Sequence, residues 1–202
     1  MSTIPPEIQD VRYRESAEPG TASPPPVPPR PIAPSVHFMM AHPAHVMALG
    51  FGSGLSPKAP GTMGTLFGWA VFAVLQHRLT EWQWGALIGI SIVAGWWACT
   101  VTARHMCVKD PGSIVWDEVA AFWLVLWLVS PIGFWGQLAA FVLFRFFDAA
   151  KPGPVAWADQ LFHGVNPATD PAAWLKAGWG IMLDDLVAAF CTLLVIALWR
   201  AW

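Results

Sequence analysis

The chain has 202 residues, of which 55% are hydrophobic and only 12% charged, with a formal net charge of −2. Soluble domains run at about 45–50% apolar and about 25% charged, so an integral membrane protein is the leading class. The near-neutral charge without a basic block excludes an electrostatic nucleic-acid binder. The three scattered Cys exclude a disulfide framework, and neither a zinc-ligand spacing nor a phosphate-loop or dinucleotide glycine motif is present.

The average hides two unlike parts. Of the 19 Pro, 13 fall within residues 1–60, whereas the first of the 14 Trp is Trp69. Residues 1–44 read as a disordered Pro-rich arm, in which Pro24-Pro25-Pro26-Val27-Pro28-Pro29 favours polyproline II. A tether and an SH3-type ligand are both open readings of it. No apolar h-region is present, so the arm does not read as a signal peptide. Residues 45–202 read as the membrane domain.

Four charge-free stretches follow: Ala59–His77, Trp82–Ala103, Val119–Phe144 and Leu186–Trp199. A bilayer core takes about 20 apolar helical residues. The third stretch is too long for one span and carries Ser130-Pro131-Ile132-Gly133 at its middle, so it reads as a helical hairpin, Ile114–Ser130 and Ile132–Phe147. The expected fold is therefore all-α: a compact bundle of about five apolar helices, starting near Thr62, Trp82, Ile114, Ile132 and Gly180, integral to the membrane or deeply embedded in it. If the arm is cytoplasmic and all five helices cross, nine of the eleven basic residues fall inside and only Arg78 and Arg200 outside, which is the positive-inside pattern. Trp82, Trp84, Trp96, Trp97, Trp116, Trp135, Trp179 and Trp199 fall near helix ends, as an aromatic belt would.

The same topology collects the acids on the cytoplasmic face. Asp117 and Glu118 are expected in the first turn of the third helix, Asp148 at the end of the fourth, and Asp184 and Asp185 in the first turn of the fifth. First-turn acids complement the helix dipole, so each pair alone reads equally as capping. Two such pairs leading into apolar helices, with Lys58, Lys109, Arg145 and Lys151 at the same face, point to a divalent cation beside an anion. Gly50–Thr65 supplies Gly52, Ser53, Gly54, Lys58 and Thr62 as a candidate phosphate cradle before a helix N-terminus. In Phe144–Pro154, Arg145, Asp148 and Lys151 share one helix face before Lys-Pro-Gly-Pro ends the helix. Cys99 lies inside an apolar helix, and its C-x₄-R spacing to Arg104 misses the phosphatase-loop spacing, so it reads as packing. His42, His45, His105 and His163 fall near the same interface without a catalytic pattern.

Four segments together, GFGSGLSPKAPGTMG (Gly50–Gly64), DPGSIVWDE (Asp110–Glu118), FRFFDAAKP (Phe144–Pro152) and GWGIMLDD (Gly178–Asp185), resemble the phosphatidylglycerophosphatase A family over roughly residues 45–199. The resemblance implies a Mg²⁺-dependent lipid phosphatase of the bacterial inner membrane that converts phosphatidylglycerophosphate to phosphatidylglycerol. On that reading Asp117, Glu118, Asp184 and Asp185 surround one or two Mg²⁺, and Lys58, Arg145 and Lys151 bind phosphate oxygens with help from the Gly50–Gly54 backbone. Asp117, Asp148, Asp185 and Lys151 are the catalytic candidates, with Asp148 either joining the metal or orienting Lys151. Water and an aspartyl nucleophile both stay open. Two departures stand out: the Pro-rich arm, and a loop, Val165–Ala177, longer than the family's link. Protein partners are not legible. A lipid-alcohol transferase is the alternative enzyme, but the CDP-alcohol transferase pattern is missing. A small transporter is the non-enzymatic alternative, but the acids gather at one face and trace no path across the bilayer.

Overall fold

The central helix of the structure is also its shortest apolar one. This computed structural model describes residues 30–162, 164–166 and 169–202. Residues 31–202 form one unit. The expected arm falls largely outside the described residues, as does His163. Among the described residues there is no strand. The helices are α1 (Val36–Met40), α2 (Pro43–Ala48), a 3₁₀ segment (Gly50–Leu55), α3 (Pro60–Leu75), α4 (Glu81–Met106), α5 (Trp116–Val129), α6 (Phe134–Ala150), α7 (Pro154–Gln160) and α8 (Ala173–Ala201).

Helix α5 is apolar on every side beyond its first turn, so it must be enclosed. Val119, Ala120, Ala121, Phe122, Val125 and Leu126 have no exposed surface. It packs on α3, α4 and α8, while α8 also lies against α6 and α7. Trp84, Trp116 and Trp123 join this core rather than a belt, and the Trp116 indole donates to the Ser91 carbonyl at 3.1 Å. Trp82, Trp135 and Trp199 are exposed, as belt residues would be. Of the five apolar helices expected, only α4 and α8 are long and apolar enough to cross a membrane; α3 is shorter. At 1.5 Å per residue α5 reaches about 21 Å, short of a hydrocarbon core of about 30 Å.

The fifth apolar helix departs most from expectation. It begins at Ala173, not near Gly180. Asp170 organises the start: its carboxylate accepts from the Ala172 amide at 2.9 Å and from Lys176 Nζ at 2.6 Å. Gly178 and Gly180, read from sequence as a boundary, are inside the helix. Gly178 meets α4 so closely that a Cβ there would fall 2.8 Å from the Thr100 backbone. The glycine is a contact surface and not a helix breaker.

Residues of the expected arm that are described dock on the end of α4. The Ile32 amide donates to the Met106 carbonyl at 3.0 Å. His45 is buried, stacked on Phe38 and in contact with His42 and His105. The Phe38 carbonyl can only accept, so His45 Nδ1 carries the proton in the 2.8 Å bond between them. Neutral His45 then accepts at Nε2, and His105 Nδ1 donates, at 2.8 Å. Burial, with His105 and His42 adding to it and the Phe38 carbonyl opposing, holds His45 below its ordinary value of 6.5. The unfolded segment therefore binds protons first as pH falls, so this docking is fully stable above about 6.5 and weakens below it. Amide exchange in α1 and α2, corrected for intrinsic rates, should speed up between about pH 7.5 and 5.5, with the α5 amides unaffected. Uniform protection of α1 and α2 across that range would contradict the lowered proton affinity of His45.

Candidate active site

Five carboxylates converge at one end of α5. Asp117 and Glu118 occupy its first turn, after Val115, whose own amide donates to the Ala48 carbonyl at 2.9 Å. Asp148 comes from the last turn of α6. Asp184 and Asp185 lie inside α8, eleven and twelve residues beyond its first, so the expectation that they sit in a first turn is corrected. That correction removes the helix dipole as an explanation for the pair, since the dipole acts only on the terminal turns. Asp117, Glu118, Asp184 and Asp185 are all buried, Asp185 to 2% exposure.

Glu118, Asp148 and Asp185 each place a carboxylate oxygen within 4.8 Å of the others. Asp185 is also in electrostatic reach of Asp117 and Asp184. The cations are fewer. Arg145 donates to Glu118 at 3.0 Å, to Asp148, and to Thr65 Oγ1 at 3.3 Å. Lys151 donates to Asp184 at 2.7 Å and to Asp159. Burial alone would lower the Lys151 ammonium, but the bonds from Asp159 and Asp184 outweigh it and push the group upward.

Buried carboxylate oxygens ordinarily find partners. Here Asp117 Oδ1, Glu118 Oε2, Asp184 Oδ1 and Asp185 Oδ2 have none among the described residues. Four bare, buried carboxylate oxygens from four residues, in an all-oxygen donor set, fit a hard divalent cation. The sequence named Asp117, Glu118, Asp184 and Asp185 as the metal set; the closest group here instead joins Asp148 to Glu118 and Asp185.

Helix α3 reaches the cluster through Gly61. A Cβ there would stand 1.9 Å from Glu118 Oε1, so any side chain at this position would have to displace the Glu118 carboxylate. Thr65, buried one turn on, donates to the Gly61 carbonyl at 2.9 Å and accepts from Arg145.

The rest of the proposed cradle is placed differently. The amides of Gly52 and Gly54 both donate to the Leu49 carbonyl at 3.0 Å, and Ser53 Oγ donates to the Gly50 carbonyl at 2.8 Å. These donors hold the 3₁₀ segment together. Lys58 is exposed, with Ser56 Oγ on its carbonyl, and Thr62 is half-buried in the first turn of α3. Asp148 turns to Arg145, so Lys151 is oriented by Asp184 and by Asp159, which the sequence reading missed. The available signal was an acid eight residues past Lys151, beyond Pro152-Gly153-Pro154, a turn after which α7 packs on α8 and brings Asp159 back to Lys151. Lys109, Asp110, Asp159 and Asp184 line a narrow cleft of about 50 Å³ that opens beside the cluster. Cys99 is fully buried in α4, as packing requires.

An all-helical apolar bundle with buried acids and paired cations at one end defines a class before it defines a reaction. The comparisons place this chain among lipid phosphatases. The family model described as phosphatidylglycerophosphatase A matches residues 46–200. Phosphatidylglycerophosphatase A of Escherichia coli K12 is 40% identical over 153 residues, covering 74% of this chain and 78% of the relative. Phosphatidylglycerophosphatase A of Haemophilus influenzae is 36% identical over 163 residues, covering 81% and 92%. No solved structure matches. The chain belongs to the phosphatidylglycerophosphatase A family.

The two glycine contacts separate activity from stability. Gly61→Ala should leave the fold nearly unchanged, because the flexible Glu118 can yield, but should cut phosphatase turnover at least about tenfold by displacing its carboxylate. Gly178→Ala meets backbone and should cost about 1–3 kcal/mol of stability. Thermal melts and initial rates on both variants check the contrast.

Proposed function

We propose that this protein hydrolyses the terminal phosphomonoester of phosphatidylglycerophosphate to give phosphatidylglycerol, with Mg²⁺, at the cytoplasmic face of a bacterial inner membrane. The carrying observation is the excess of buried carboxylate over cation at the end of α5, with four bare oxygens, in a chain of this family. The two long apolar helices and the bacterial relatives support the location.

Glu118, Asp148 and Asp185 would hold the cation, with Asp117 and Asp184 bordering it. When bound, Mg²⁺ supplies charge neutralisation for the phosphoryl oxygens and lowers the pKa of water. The chain supplies position. Arg145, fixed by Glu118, Asp148 and Thr65, and Lys151, fixed by Asp184, present two cations to the phosphate. Both are held in advance by ion pairs, so little reorganisation is needed when charge develops on the phosphoryl oxygens. Among the described residues, Asp117 is the one buried carboxylate outside both the close triad and the Arg145 and Lys151 contacts. Its bare Oδ1 is assigned to take the proton of the attacking water.

Purified protein with short-chain phosphatidylglycerophosphate should release phosphate with Mg²⁺ and lose release on chelation, with phosphatidic acid as a competing substrate. Asp117→Asn should lower kcat by about 10²-fold or more while the protein still folds and inserts. No phosphate release from this lipid under any condition would sink the reading. Full turnover by Asp117→Asn would sink the base assignment alone.

A further inference from the structure

Asp159 lies outside all four sequence motifs, on the seven-residue helix α7. It nevertheless reaches the candidate site, because its carboxylate accepts from Lys151 Nζ opposite Asp184. Lys151 is the C-cap of α6 and sits in the left-handed region, at φ 44° and ψ 51°. An L residue with a side chain adopts that conformation at a cost, and glycine or asparagine is usual there. From that backbone the Lys151 side chain meets Asp159 on α7 and Asp184 on α8.

An ammonium has three N–H donors. Two are taken by Asp159 and Asp184, and one is left. Asp159 and Asp184 both line the narrow cleft, with Lys109 and Asp110 at its wall. Helix α7 is anchored independently of this pair, by Val155 and Ala158, neither of which has exposed surface. A half-exposed ion pair adds little to stability on its own. A lysine on a four-carbon stem, held by one carboxylate only, is free to swing; held by two, it is a fixed point charge.

We propose that Asp159 is a positioning residue: with Asp184 it fixes Lys151 Nζ at the cleft so that its third N–H meets an oxygen of the substrate phosphate. The inference rests on the phosphatase reading above. Asp159 meets the site through Lys151, so the loss of activity on its removal should depend on Lys151 being present.

A double-mutant cycle reads this dependence, with Mg²⁺ and phosphatidylglycerophosphate at varied concentration. Asp159→Ala and Asp159→Asn should each lower kcat/KM by about 10- to 100-fold in the otherwise native chain, and by less than about 3-fold in a Lys151→Met background. Asp159→Glu should restore most of the loss, and the Asn variant should melt within a few degrees of the native protein. The Asn variant guards against an Ala variant that fails to fold. Equal losses in both backgrounds, or native kcat/KM in Asp159→Asn, would overturn the proposal. A native protein inert toward the lipid would overturn the phosphatase reading first, and this one with it.

Discussion

Arg145 reaches from the last turns of α6 to Glu118 at the start of α5, to Asp148 one turn along its own helix, and to Thr65 on α3. Three helices are tied by one guanidinium, in surroundings where an unpaired charge would be expensive. The geometry around it follows from that need. Gly61 carries no side chain because Glu118 fills the space that a Cβ would occupy. The first turn of α5 is held by the Val115 amide on Ala48. A guanidinium is suited to the place, since its planar fork serves several oxygens at once and it stays charged when buried.

The bridge does not balance the site. Asp117, Glu118, Asp148, Asp184 and Asp185 converge against Arg145 and Lys151, and four of the five keep a buried oxygen with no partner among the described residues. A fold that packs Phe122, Phe144 and Met182 without exposed surface tolerates such oxygens only for a reason outside simple stability. Cation binding supplies one, and phosphate chemistry next to two preset cations gives it a use. Stability and function divide along the same helices: α5 and α8 provide both the driest packing and the most polar cluster.

The four motifs were legible because a charge-poor chain makes each charged residue conspicuous. Asp117, Glu118, Arg145, Asp148, Lys151, Asp184 and Asp185 were all named from the sequence, and all lie at one end of the bundle. Their partners were not legible. Arg145 with Asp148 is a local i,i+3 pair, but Arg145 with Glu118 and Lys151 with Asp184 join residues 27 and 33 positions apart. Asp159 was missed because nothing in its own neighbourhood marks it; its meaning comes from a turn that carries it back to Lys151. The Gly50–Gly54 string has the composition of an anion cradle, and here the amides of Gly52 and Gly54 close on the Leu49 carbonyl.

The lengths of the charge-free stretches and the positions of the few charges determined that this is an apolar, all-helical chain with a polar cluster at one end, because apolar length and the scarcity of charge are read directly from residue type and order. Tertiary structure decided the rest. It made α5, the helix too short to span, the centre, because a helix apolar all round must be enclosed. It started α8 at Ala173, where Asp170 holds the Ala172 amide and Lys176, and so placed Gly178 inside the helix as a contact surface for Thr100. It chose Asp148 over Asp117 and Asp184 as the close companion of Glu118 and Asp185, because which carboxylates meet is set by how helices distant in sequence are packed side by side.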